Sequence, residues 1–169
     1  MLIGFRSKNH PQQNSKRGTI ENVDDRALPA ESFSPLNQRF EFTIDVAANA
    51  QNAKLPRYWT KETCGLSKSW NGERVYCNPP YSNIRPWVEK AWMIEADIAV
   101  LLLPANRTEQ SWWQDLIEPF RDRGNELTTE FLQGRLRFLK PGQTSIGPNE
   151  RPPFGCVLCI WKKVIVAEL

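Results

Sequence analysis

The sequence predicts an α/β sandwich, a sheet covered by helices and finished by an antiparallel edge. Three observations carry that prediction. Ile98 to Leu103 is an unbroken apolar run between Asp97 and Pro104, the pattern of a central strand buried on both faces. Two stretches with one apolar helical face, Ile84-Trp87-Val88-Ala91-Trp92 and Trp112-Trp113-Leu116-Ile117-Phe120, alternate with strand-like segments. The last third, Leu127 to Leu139 and Phe154 to Trp161, reads as a strand pair with no helix between its members.

The elements follow in order. Residues 1–23 carry Arg6, Lys8, Lys16 and Arg17 with almost no apolar periodicity, and read as a mobile basic arm, either a solvated leader or a phosphate-contacting segment. From Asp24 to Leu169 the chain reads as one domain, since 169 residues bury about 70% of their unfolded surface in a single core. Phe33, Leu36 and Phe40 recur at helical spacing behind Pro29, whose fixed φ suits a helix's first turn. Phe42-Thr-Ile-Asp-Val-Ala47 alternates like a strand and places Asp45 toward its end. Residues 49–73 are irregular. Arg74-Val-Tyr-Cys77 is a short strand that runs into Asn78-Pro79-Pro80-Tyr81 and then into a helix, with Ser82 or Asn83 as its expected cap and Pro86 in its first turn. After the central strand, Thr108 is the expected cap of the next helix. The fourteen residues from Lys140 to Pro153, with four prolines and two glycines, form a connection long for a hairpin.

Composition excludes several functions. The balance of 22 basic and 19 acidic residues, net +3, permits nucleic-acid binding without diagnosing it. The longest apolar run is far short of the roughly 20 residues of a membrane span, and the N-terminus has no signal core, so a cytoplasmic protein with no membrane partner is expected. The single histidine, His10, sits in the polar leader, which disfavours Ser-His-Asp and Cys-His hydrolases and His-rich metal centres. None of the nine glycines is spaced for a GxGxxG turn, and no phosphate loop occurs. Cys156 and Cys159 fall three apart on a strand and point to opposite faces, so they read as buried thiols, and no metal site is expected. Most of the seven tryptophans fit helix faces, with Trp59 and Trp70 left beside the site.

Asn78-Pro79-Pro80-Tyr81 lies where a strand gives way to a helix, the carboxyl edge at which open α/β sheets bind ligands. Its residue types suit an exocyclic amino group on a planar ring. The Asn78 oxygen and a carbonyl of the Pro79-Pro80 segment can accept both N–H bonds, leaving the nitrogen lone pair free, and two prolines preorganise the segment. Tyr81 supplies a ring for stacking, worth about 1–3 kcal/mol. The bland reading of the same residues is a Pro-Pro turn closing a strand, with Tyr81 as a rim aromatic.

These four residues resemble the catalytic motif of amino-group methyltransferases. With Asp24-Asp25-Arg26, Phe42-Thr-Ile-Asp-Val-Ala-Ala48, Asn52-Ala-Lys-Leu-Pro-Arg-Tyr-Trp-Thr60, Gly65-Leu66, Trp70, Leu103-Pro-Ala-Asn-Arg-Thr108 and Gly134-Arg-Leu-Arg-Phe138, the chain resembles the phage-type DNA N6-adenine methyltransferase (Dam) family over about residues 22–162. The resemblance implies a compact Rossmann-like fold and transfer of a methyl group from S-adenosylmethionine to N6 of adenine in DNA, with the base flipped into the motif. A sulfonium methyl is reactive enough to need no strong general base. By the same resemblance Asp45, Val46 and Ala47 lie beside the cofactor, and Pro29 to Phe33 close over it. Two departures stand out: Leu28 where relatives often have Thr, and Cys64 where an acid is more frequent. Lys68, Trp70, Arg107, Arg135, Arg137 and Arg151 are candidate DNA contacts because they fall on loops or edges beside the active face. The 140–153 connection is the candidate for sequence discrimination. The resemblance further implies a phage or prophage origin, a place in self-protection or restriction-modification inside a bacterial host, DNA as the partner and no obligate protein partner. Two other readings are a methyltransferase acting on cytosine N4 or a glutamine amide, and a DNA-binding relative that has lost the cofactor.

Overall fold

The computed structural model describes residues 24–147 and 154–164, so the basic arm and Arg151 lie outside the described residues. Helix α1 runs from Ala30 to Phe40 and buries Phe33 and Phe40, as the spacing predicts. Pro29 stands one place earlier than expected, at the N-cap in extended conformation (φ −59°, ψ 150°). The helix stops at Glu41, left-handed at φ 49°, whose N–H donates to the Asn37 carbonyl at 2.8 Å. Asn37 also takes the Phe42 N–H on its side-chain oxygen, which turns the chain toward the sheet.

Five strands follow: β1 (Ile44–Asp45), β2 (Arg74–Cys77), β3 (Ile98–Pro104), β4 (Leu127–Phe131) and β5 (Cys156–Lys162). They lie in the order β1-β2-β3-β5-β4, with β1, β2 and β3 parallel and β5 antiparallel to both β3 and β4. The α/β class and its antiparallel edge are therefore observed. β3 is the central strand and is buried at every position. Between β2 and β3 lies α2 (Arg85–Trp92), and after β3 comes the short α3 (Ser111–Leu116).

Alternation along the strands divides the core. Val75, Cys77, Ala99, Leu101, Val157 and Cys159 face one side, where Trp87, Val88 and Ala91 of α2 and Trp112 and Trp113 of α3 cover them. Tyr76, Val100, Leu102, Leu158 and Ile160 face the other, against Phe33 and Phe40 of α1 and Phe138. Cys156 and Cys159 separate onto these two faces, and no group of three metal-ligating side chains forms among the described residues. No helix among them is long and apolar enough to cross a membrane.

Five expectations need correction. β1 is two residues long, not six, because its outer side meets only the irregular 49–73 segment, through Asp45 N–H to Arg57 O and Trp59 N–H to Asp45 O. Neither Ser82 nor Asn83 caps α2; Ile84 stands at its N-cap without a side-chain bond, and Asp24 has taken Ser82. Thr108 likewise leaves the α3 cap to Gln110 and offers its carbonyl to the Gln114 amide. α3 ends at Leu116, so Phe120 falls beyond it and is exposed. The strand expected to reach Leu139 ends at Phe131: Gly134, at φ 75°, helps the chain leave the sheet and cross the α1 face, where Leu139 pairs with Ala27.

Candidate active site

The Asn78-Pro79-Pro80-Tyr81 segment leaves the carboxyl end of β2 and is held from two directions. From the start of the domain, the Asp24 carboxylate accepts the Ser82 N–H at 3.1 Å and the Ser82 hydroxyl at 2.5 Å, and the Arg26 carbonyl accepts the Asn78 Nδ2 at 3.1 Å. From the loop after β3, Arg107 donates Nη1 to the Tyr81 carbonyl at 2.5 Å. The Asn78 amide plane is thereby fixed with its donor side inward. Its Oδ1 takes no hydrogen bond from a described residue and remains an acceptor.

Tyr81 is only 9% exposed. Its hydroxyl donates to the Leu102 carbonyl at 3.1 Å, and its ring meets Phe138 edge-on at 6.5 Å and Phe154 tilted at 6.0 Å. The ring, expected as a stacking surface and in the bland reading as a rim aromatic, is covered by two aromatics of the β4–β5 connection. Burial pushes its phenol far above the usual tyrosine range.

Asp45 is 3% exposed and lies beside Tyr76 in the β1–β2 register, on the α1 face. Its carboxylate accepts the Lys54 N–H at 3.1 Å and the Ala47 N–H at 3.4 Å. Desolvation raises its pKa to about 6, against the lowering pull of those two amides. Burial lowers the Lys54 ammonium in turn, against the attraction of Asp45. Val46 is committed elsewhere: its N–H donates to Tyr76 O, and its side chain packs on the α2–α3 face. Gly65 presses against it, and a Cβ there would stand 2.2 Å from the Val46 oxygen. The close backbone approach that a glycine-rich turn would make is thus made by a glycine from another loop. Cys64 precedes it at φ 46° and is exposed, while Leu28 is core. Pro29 is buried, and Phe33 packs edge-on against Tyr76 at 5.0 Å.

The expected DNA contacts divide. Lys68 and Arg135 are exposed and Arg137 is half-buried, all in irregular segments. Trp70 is a correction: at 1% exposure, with its indole N–H on the Gly65 carbonyl, it is a core residue with no face for a base or phosphate. Arg107 is half-buried, and its Nη1 turns onto the motif backbone. Sequence reasoning assigned no role in the site to Asp24, Arg26 or Gly65, and read Ser82 only as a helix cap. Asp24-Asp25-Arg26 stood out as a matching segment, but a main-chain carbonyl bonding across the sheet leaves no trace in residue type.

With this geometry in view, the comparison with protein families is decisive: a family model described as DNA N-6-adenine-methyltransferase (Dam) matches residues 16–167. The chain belongs to that family. Among curated proteins, the Dam-family chain is 37% identical over 51 residues to a DNA N-6-adenine-methyltransferase of Haemophilus phage HP1 (strain HP1c1), covering 30% of each chain. It is 28% identical over 162 residues to one of Escherichia phage T1, covering 85% of this chain and 64% of that relative. It thus spans less than two thirds of the length of these two relatives.

Proposed function

We propose that this Dam-family chain transfers a methyl group from S-adenosylmethionine to N6 of adenine in DNA. The observation that carries the reading is the fixed Asn78 amide, donor side tied to Arg26 and acceptor side left open at the carboxyl end of β2. In this reading Asn78 Oδ1 and the Pro79 carbonyl accept the two N6 hydrogens and aim the nitrogen lone pair. Pro80 keeps the segment rigid, and Arg107 and Asp24 hold it at either end. The methyl donor, when bound, supplies an electrophilic methyl on a sulfonium. The extra N6 proton then leaves to solvent, so no strong base is required.

The residues present fit that donor. Asp45, on the same sheet face as Asn78, offers a buried carboxylate suited to an ammonium, and the Tyr76 hydroxyl nearby is buried without a partner. Ala47 and the Pro29–Phe33 stretch complete the donor side. The parallel strands β1, β2 and β3, with both candidate groups at their carboxyl ends, suit a Rossmann-like methyltransferase domain. An adenine in a duplex must be extruded at a cost of a few kcal/mol. We assign its stacking to Tyr81, once Phe138 and Phe154 shift, and phosphate contacts to Lys68, Arg135, Arg137 and Arg151. The test is a substrate panel with labelled S-adenosylmethionine: duplex DNA with adenine, duplex DNA of guanine and cytosine only, and a glutamine-bearing peptide. N6-methyladenine in the first alone supports the reading. Label in cytosine or peptide overturns the choice of substrate, and absence of label throughout overturns the activity.

A further inference from the structure

Among the described residues three buried side-chain polar atoms lack a hydrogen-bond partner: Arg26 Nε, Tyr76 Oη and Trp161 Nε1. Trp161 packs against Trp92 on the α2–α3 face, away from the site. Tyr76 is on the site face. It pairs in register with Asp45, stands two residues before Asn78, and packs against Phe33 at 5.0 Å and Phe42 at 5.4 Å. In a parallel ladder, register partners lie about 4.8 Å apart with side chains on one face, and the Asp45 charge adds to burial in raising the Tyr76 phenol. Burial keeps the phenol protonated, and therefore a donor.

A buried hydroxyl without a partner costs the fold stability that phenylalanine in its place would not. Such a local conflict is expected where a side chain serves a ligand. Asp45, when ionised, can only accept, and Tyr76 can donate. Together they match a group that carries a cation and an anion on one carbon, as an amino-acid moiety does.

We propose that Tyr76 Oη donates a hydrogen bond to the carboxylate at the amino-acid end of the bound methyl donor, while Asp45 receives its ammonium. This rests on the S-adenosylmethionine reading above. Tyr76 is then a binding residue for the donor and takes no part in reading the base.

The test is calorimetry of the full chain and its Tyr76→Phe variant with S-adenosylmethionine and with 5′-methylthioadenosine, which lacks the amino-acid end. Thermal melts of both free proteins accompany it. The expected result is S-adenosylmethionine binding weakened about tenfold or more in the variant, as for loss of a hydrogen bond to a charged group. Affinity for 5′-methylthioadenosine stays the same, and the melting midpoint of the free variant is equal or higher. Equal affinity of both proteins for S-adenosylmethionine overturns the role of Tyr76 and leaves the donor reading standing. An equal loss for both ligands, or a melting midpoint several degrees lower, marks a structural role and overturns it too. If the wild type binds no S-adenosylmethionine, the donor reading itself falls, and this inference with it.

Discussion

The parallel and antiparallel halves of the sheet hold their neighbouring loops in different ways. On the parallel side the Asn78–Tyr81 segment is tied by directed polar bonds from Asp24, Arg26 and Arg107, and Gly65 locks against Val46 with no room for a methyl. On the antiparallel side β4 and β5 are well paired, and the described part of the connection between them meets the motif through aromatic edges, Phe138 and Phe154 on Tyr81, and pairs with Ala27 at Leu139. Directed bonds set positions within tenths of an ångström, as the reacting groups need. Aromatic contacts are less directional and can exchange one ring for another. On the proposed function this difference is a division of labour, chemistry on the parallel edge and entry of the base from the antiparallel one.

The largest effect on the rigid side is expected from Gly65→Ala. A Cβ 2.2 Å from the Val46 oxygen must displace backbone, so the variant should lose roughly 3 kcal/mol or more of stability, read as a lower urea midpoint. A midpoint within error of wild type contradicts the tight approach. Next is Arg107→Ala, which frees the Tyr81 carbonyl without touching the base. We expect turnover to fall about 10–100-fold with little change in methyl-donor affinity, and Arg107→Lys to restore part of it. A pure loss of DNA affinity, largest at low salt and with a shallower salt dependence than wild type, would assign Arg107 the role of a phosphate contact.

Asp45 separates stability from binding by pH. Its folded pKa of about 6 lies above the ordinary 3.8, so above pH 6 the group is ionised folded and unfolded, and its burial opposes folding. As pH falls from about 6 toward 3.8 the folded chain takes the proton first, and this group's contribution shifts in favour of the fold. Donor binding should move the opposite way, weakening by up to about tenfold per pH unit below 6, because the ionised form attracts the ammonium. Calorimetry across pH 5 to 8 checks this, and Asp45→Asn should bind weakly with a flat profile. The smallest effect belongs to the antiparallel side: Arg39 and Glu130 form an ion pair at 2.5 Å with side chains 51% and 34% exposed, and Arg39→Ala should cost under about 1 kcal/mol in a denaturant melt.

Legibility follows the same division. β2, β3 and the buried face of α2 could be read because burial and periodicity alone decide them, and with them the place of the motif between β2 and α2. Ser82 was misread as a cap because Asp24, 58 residues away, claims its hydroxyl. Trp70 was misread for a related reason: a residue's type says what it can bond, while only the packed chain says which way it points. The end of β4 was missed because Leu136 and Phe138 keep a strand-like alternation while covering the sheet instead of joining it. Tyr76 looked like one more strand aromatic, and only its unbonded hydroxyl sets it apart.

The central claim is that the open face of the Asn78 amide reads the target amino group and does nothing for the methyl donor. The most direct measurement compares wild type with Asn78→Ala for methyl transfer to duplex DNA and for S-adenosylmethionine affinity on the same preparation. The account predicts that transfer to N6 of adenine falls by about 10²–10³-fold or more, while donor affinity and melting midpoint stay close to wild type. Transfer within a few-fold of wild type, or a loss of donor binding that accounts for the whole defect, would contradict it.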